Sequence, residues 1–234
     1  MIYSHALHTA SVLKNGKILV AGVVGGLDMG KSAELYDPMT GQWSETGNLN
    51  YDRSFHTATV LADGRVLVVG GNNSNAEIYD PSTGRWTLTG SLNETRVQHA
   101  ATILKNGKVL IICGFGQTVE YPTTTEVYDP STQNWTTTSD GPASGLFLKA
   151  ALLHDGRVLV AGGEFFDSEK MLHSSTNAAY IYDPSTSNWT TISCMHTFRS
   201  QHTLTVLNDG KALVAGGIDK DATNSAELYD PTKT

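Results

Sequence analysis

Helix-like stretches, paired cysteines and surplus positive charge are all missing from this 234-residue chain. No uninterrupted apolar run approaches the roughly 18 residues of a membrane-crossing helix, so no membrane span is expected. Two cysteines, Cys113 and Cys194, are too few for a disulfide-stapled scaffold. Lys and Arg number 16 against 23 Asp and Glu, a net charge of −7. That balance argues against a nucleic-acid partner held by a basic surface. The opening Met-Ile-Tyr-Ser-His has neither the basic flank nor the apolar stretch of a signal peptide, and the compartment stays unassigned.

What is present is a period. All 4 Trp, 5 of the 9 Tyr and 5 of the 7 Pro fall in one recurring phrase. Tyr-Asp-Pro begins at Tyr36, Tyr79, Tyr128, Tyr182 and Tyr229, and four of these are followed seven residues later by Trp43, Trp86, Trp135 and Trp189. Thirteen residues after each Trp stand His56, His99, Leu148 and His202, with His8 as the counterpart in the first unit. Eight further on comes the Gly of an Asn-Gly or Asp-Gly pair: Gly16, Gly64, Gly107, Gly156 and Gly210. Five units result, 1–52, 53–95, 96–144, 145–198 and 199–234, in a single domain of residues 1–234.

Val66-Leu67-Val68-Val69 and Val158-Leu159-Val160-Ala161 are β-favouring apolar runs bounded by glycines, and they read as buried strands. The Asn-Gly or Asp-Gly pair before each run is a hairpin signal, because both residues tolerate positive φ. Strand A is then 57–61 in the second unit and strand B is 66–69. Strand C carries Tyr79, Asp80-Pro81 opens a turn, and strand D carries Trp86. Each unit is a four-stranded antiparallel meander that cannot bury both faces alone, and radial stacking into an all-β propeller solves this. There is no Trp-Asp dipeptide. The glycine pair after strand B, the Tyr on C and the Trp on D resemble kelch repeats over essentially the whole chain. The most regular copies, His56-Thr-Ala-Thr and Asp63 to Gly71 with Glu77 to Pro81, are similar to units of galactose-oxidase-type kelch propellers. The tryptophans and tyrosines of the phrase are expected to be structural, packing between blades.

Length varies in one place only. From the position of Gly22 to the following Tyr, the distances are 14, 9, 15, 20 and 13 residues. All variation therefore lies in the B–C connection, which shares one face of a propeller with the D–A connection. Variable loops on a rigid scaffold are the usual arrangement for recognition, and the kelch resemblance implies partner binding on the same face. Unit 4 departs most. Where other units begin strand A with Arg53 and His56, Arg96 and His99, or Arg199 and His202, it has Gly145 and Leu148, flanked by Phe147 and Lys149. Its B–C connection is the longest and contains Phe165, Phe166, Asp167, Lys170 and Met171. These aromatics either form a binding hot spot or tuck against one another to pin the loop, Phe147 and Met171 with Phe165. The three arginines either form a cationic rim for carboxylates or pair with acidic side chains of the scaffold.

No catalytic residue, cofactor or metal is expected. One His per blade at one register is spread around a ring, and a structural role is anticipated, the imidazole satisfying a local backbone group. The galactose-oxidase resemblance implies a copper site of two Tyr and two His with a consecutive Tyr-His pair and a Tyr–Cys thioether. No Tyr here precedes a His, and Tyr3, Tyr51, Tyr121 and Tyr180 match none of that motif. Asp219 to Asn224 begins like a calcium loop but has Asn where Gly is needed, and it reads as a polar loop. Sequons occur at Asn72, Asn93, Asn134 and Asn188. The expected function is a non-catalytic protein- or peptide-binding module, with a carbohydrate-active or glycan-binding extracellular propeller as the alternative. The repeat counts 19 strands, the fifth unit lacking strand D. A piece of a larger propeller is expected rather than a five-bladed ring closed by a three-stranded blade.

Overall fold

The same hairpin turn recurs where each glycine pair predicts it. In the first unit, Leu13 N–H donates to Lys17 O at 2.8 Å and Gly16 N–H to Leu13 O at 2.9 Å, and the second repeats this with Leu61, Gly64 and Arg65. The glycines take φ of 81° and 94°, which a side chain would strain. A computed structural model describes residues 1–234 except 23–29, 72, 117–122, 143–144, 168–171 and 234, together with the backbone alone of Asp167.

Blade 1 runs β1 (Thr9–Val12), β2 (Ile18–Ala21), β3 (Ala33–Asp37) and β4 (Gln42–Glu45). Blade 2 has β5 (Thr57–Val60), β6 (Val66–Val69), β7 (Ala76–Asp80) and β8 (Arg85–Thr89). Blade 3 has β9 (Ala100–Ile103), β10 (Val109–Ile112), β11 (Thr124–Asp129) and β12 (Asn134–Asp140). Blade 4 has β13 (Lys149–Leu152) and β14 (Val158–Ala161), an inserted hairpin of β15 (Glu164–Asp167) and β16 (Leu172–Ser175), then β17 (Ala179–Asp183) and β18 (Asn188–Ile192). Blade 5 has β19 (Thr203–Val206), β20 (Ala212–Ala215) and β21 (Ala226–Tyr229). Four sheets of four strands and one of three make the 19 blade strands of the repeat, all antiparallel. The hairpin β15–β16 adds two more within the long B–C connection of blade 4, where the aromatic-rich 164–167 segment pairs with 172–175. No helix occurs among the described residues.

Strand A of each blade neighbours strand A of the next, from β1 through β5, β9 and β13 to β19, so these strands line the axis. Strand B is the most buried, and β6, β10 and β14 have no exposed residue. Apolar clusters fill the seams. Between blades 1 and 2, Leu19, Ala21, Ala33 and Leu49 pack against Val66, Val68, Tyr79 and Trp86. Equivalent clusters join blades 2 and 3, 3 and 4, and 4 and 5. Among the described residues no such cluster joins blade 5 to blade 1. Leu228, at the register of the buried Ile78 and Ile181, is 60% exposed there.

Each repeat Tyr lies directly opposite its Trp across strands C and D, with ring centroids 4.9 to 5.0 Å apart in blades 1 to 4. Trp86 Nε1 donates to Gly47 O of the preceding blade at 2.8 Å, and Trp135 Nε1 to Gly90 O at 2.7 Å. Trp86 and Trp135 therefore couple neighbouring blades.

Candidate functional site: the face of B–C and D–A connections

The three repeat arginines have no exposed surface. Arg53 donates from Nε and from an Nη to Glu77 Oε1, at 3.1 and 2.9 Å, and its other Nη reaches the Gly70 and Asn75 carbonyls at 2.6 and 2.8 Å. Arg96 does the same with Glu126 and the Cys113 carbonyl. Arg199 pairs with Glu227 at 2.8 Å and donates to Gly216 O. In each blade the carboxylate also accepts backbone N–H groups of the D–A connection: Asn50 and Tyr51 on Glu77, Asn93 on Glu126, His196 and Thr197 on Glu227. These donors hold the Glu227 carboxyl down to about 2, against its desolvation. Of the two sequence alternatives, the arginines adopt the scaffold pairing. Apart from Nε of Arg199, which makes no hydrogen bond, their donors are spent on the fold, and burial of all three side chains leaves none directed at a solvent-borne carboxylate.

Blade 1 substitutes His5 for the arginine, its Nε2 lying 2.9 Å from Glu34. Blade 4 has neither partner. Gly145 stands at the arginine position and Tyr180 at the glutamate position, two residues before Tyr182. Losing both members together avoids the unpaired buried charge that losing one would leave.

Two of the repeat histidines, His56 and His99, bridge seams through threonine hydroxyls. His56 Nε2 lies 2.8 Å from Thr9 Oγ1 of the preceding blade, and His99 Nε2 the same distance from Thr57 Oγ1. Their rings rest on the glycine that ends the preceding strand B. A Cβ at Gly70 would lie 2.7 Å from His99 Cε1, and one at Gly162 would lie 2.6 Å from His202 Cε1. Burial foremost, with Arg53 or Arg96 beside them, pushes His56 and His99 down to about 3, so the rings stay neutral. Burial and the nearby Lys149 push His202 down to about 4. The seam between blades 3 and 4 replaces the whole set: Ala100 for the threonine, Cys113 for the glycine and Leu148 for the histidine, all in one apolar cluster. The Cys113 side chain occupies the side where other seams admit a ring, although its backbone keeps the left-handed φ of 55°. Burial pushes its thiol up to about 12, which keeps it an inert packing group.

Beside these buried sets lies a rim that residue types alone did not reveal. Leu7, Phe55, Gln98, Phe147 and Gln201 each precede strand A by the same interval, and all have φ between 53° and 57°. Such a conformation costs a non-glycine residue on the order of 1 kcal/mol. Backbone bonds link the rim from blade to blade: Phe55 N–H to Leu7 O, Gln98 to Phe55 and Phe147 to Gln98, at 3.1 to 3.3 Å. Phe147 is half-buried and Lys149, the first residue of β13, is exposed on the axis-lining strand.

The blade 4 hairpin rises next to this rim. Leu146 and Glu164 exchange two backbone bonds of 2.8 and 2.9 Å. Ser200 Oγ of blade 5 donates to Glu164 Oε1 at 2.6 Å, and Ser175 Oγ donates to Ile218 O at 3.0 Å. The pleat puts Phe165 on one face with Leu172, since Leu172 lies two residues from Ser174, the cross-strand partner of Phe165. Phe166 shares the other face with His173, ring centroids 5.3 Å apart. Phe165 is 39% and Leu172 59% exposed. Lys170, Met171, Tyr121 and Asn72 lie outside the described residues, as does the Asp167 side chain, so the proposed tucking of Met171 is not part of this geometry.

The sequence profile of the family described as the KLHDC2/KLHL20/DRC7 Kelch-repeats domain matches residues 55–234. The chain belongs to this kelch-repeat family. Its fold is similar to the structure of YjhT, at 16% identity and a TM-score of 0.80, with 97% of this chain covering 84% of that one. It is also similar to a fungal alcohol oxidase of the AA5 family in complex with copper, at 18% identity and a TM-score of 0.62. The kelch chain spans 63% of that oxidase. Comparison with curated protein sequences returned no match. At these identities the structural likenesses speak to fold alone.

Among the described residues no three His, Cys, Asp or Glu side chains converge to hold a metal ion. His56, His99 and His202 are committed to three separate seams. No helix among the described residues is long and apolar enough to cross a membrane.

Proposed function

We propose that this kelch propeller is a non-catalytic binding module that takes a protein or peptide on its B–C/D–A face, centred on blade 4. The observation that carries the reading is the exposed Phe165 and Leu172 on a hairpin anchored by backbone and serine bonds beside Phe147 and Lys149. Exposed aromatics on a held support, rimmed by charge, suit a recognition hot spot, because little entropy is lost in ordering them. The family's repeats are commonly used for protein interaction, which supports the same reading. Phe166 and Asp167 belong to the same hairpin, while Arg53, Arg96 and Arg199 act through the scaffold.

Selection of a displayed peptide library against the chain tests this, with a glycan array run beside it. Selected peptides should lose tenfold or more in affinity, about 1.4 kcal/mol, on Phe165→Ala or Leu172→Ala. They should be unaffected by Met39→Ala, an exposed site in the C–D turn of blade 1 on the opposite face. Binders indifferent to both hairpin variants, or recognition of glycans alone, would overturn the reading.

A further inference from the structure

The seam between blades 3 and 4 departs from the two before it in how its polar groups are bonded. In those two, the threonine three residues after the strand D tryptophan bonds the tyrosine hydroxyl of the next blade, Thr46 with Tyr79 and Thr89 with Tyr128. The residue after it gives its carbonyl to the next blade's indole N–H, Gly47 to Trp86 and Gly90 to Trp135. Thr138 and Ser139 hold these two positions in blade 3. The register of β11 with β12 shifts between Thr124 and Glu126, so both residues face Thr125 in a bulge, a device that re-aims side chains. Thr138 Oγ1 donates to Thr125 O at 3.2 Å, and Ser139 Oγ donates to Ser187 O. The Tyr182 hydroxyl thereby lacks the threonine partner that Tyr79 and Tyr128 have. The buried Trp189 Nε1 and Thr125 Oγ1 make no hydrogen bond among the described residues. A cleft of about 350 Å³ opens in this seam, lined by Asn134, Thr136 and Thr138 of blade 3 and Tyr182 and Ser187 of blade 4. The Trp189 ring lies against Tyr182, with centroids 4.9 Å apart.

From these unbonded groups around one cleft we infer a second binding site, for a single uncharged pyranose unit. The cleft is close to the lower end of ligand-holding cavities, about 300 Å³, so its ligand is small. Its charged lining residues, Lys108 and Asp129, are bonded to each other at 3.0 Å and offer little to an ionic ligand. What remains is hydroxyls and an amide, which both donate and accept, beside the apolar ring of Tyr182. A pyranose matches that set, with hydroxyls around its edge and C–H groups to lay on the tyrosine ring. Its hydroxyls bond Tyr182, Asn134 and Thr136, and one accepts the indole N–H of Trp189. A buried donor left unbonded costs free energy, and a ligand hydroxyl that accepts it recovers that cost on binding. In the seams of blades 1–2 and 2–3 the protein itself satisfies the same tyrosine and indole, which confines the site to the bulged seam. The cleft reaches the A–B and C–D turns through Asn106 and Pro184, away from the peptide face, and is independent of it.

The test titrates the isotopically labelled full chain with glucose, galactose, mannose and N-acetylglucosamine while the indole N–H signals are followed by NMR, Trp189→Phe identifying the Trp189 signal. The expected result is that at least one sugar moves the Trp189 signal saturably and leaves the Trp86 signal in place. Tyr182→Phe removes only a hydroxyl that the seam does not use, and it should weaken that sugar roughly tenfold with thermal unfolding unchanged. Asn134→Ala, at an exposed position, should weaken it as well. The methyl glycoside separates two sources of the ring: binding equal to the free sugar marks the terminal unit of a glycan, and weaker binding marks the free sugar. No saturable movement of the Trp189 signal with any of the four sugars, equal movement of the Trp86 signal, or unchanged affinity in both Tyr182→Phe and Asn134→Ala would overturn the site.

Discussion

Blades 2 and 4 share one meander and differ in nearly everything that joins it to its surroundings. Blade 2 has the shortest B–C connection, a buried Arg53–Glu77 pair and a histidine seated on Gly22 of blade 1. Blade 4 has the longest connection, Gly145 with Tyr180, and Leu148 against Cys113. The difference teaches that the scaffold's parts are exchanged as sets. Removing the arginine alone would strand a carboxylate, and placing a histidine against Cys113 would overfill the seam. Blade 4, freed of the ion pair that ties the D–A connection elsewhere, is also the blade that raises a hairpin over the face.

The largest expected effect comes from acid. His56, His99 and His202 ionise near their ordinary value of 6.5 when unfolded but near 3 to 4 when folded. Between those limits the unfolded chain binds more protons, so stability is complete above about pH 6.5 and is lost as pH falls. Each histidine removes up to about 1.4 kcal/mol per pH unit. Amide exchange from pH 7 to 5 should show protection decaying at the three histidine seams before it does between blades 3 and 4. Uniform decay would remove that distinction.

Next in size, Glu77→Ala should cost about 3–5 kcal/mol in urea unfolding, because Arg53 is left buried and unpaired. The pair Arg53→Gly with Glu77→Tyr, which imitates blade 4, should recover much of that loss. Independent, additive effects would show that the two positions are not a set. Trp86→Ala, at a site 8% exposed, should also cost about 3–5 kcal/mol. Trp43→Ala should cost less than Trp86→Ala, since Trp43 is half-buried and faces no preceding blade cluster among the described residues. The smallest effect belongs to Leu148→His, which overpacks the seam by about 1–3 kcal/mol and should be partly rescued by Cys113→Gly.

The blades were legible because each is written locally: the turn glycines, the apolar strand B and the Tyr–Trp spacing all act within ten residues or so. The pairing of Arg53 with Glu77 and of His99 with Thr57 was not legible, since it joins residues 24 and 42 positions apart whose meeting depends on sheet register. Nor was the rim, because nothing about Leu7, Phe55 or Gln98 as residue types favours positive φ. The hairpin was missed for want of a turn signal: residues 168–171, between its strands, contain no Asn-Gly or Asp-Gly pair. Phe147, Lys149, Phe165 and Phe166 were singled out by departure from the repeat, and the fold brings all four to one sector of one face.

Hydrogen–deuterium exchange of the chain with and without a library-selected peptide tests the assignment of that sector most directly. Protection gained at β15, β16 and the start of β13 is the predicted result. Protection confined to the A–B and C–D turns of the opposite face would contradict it.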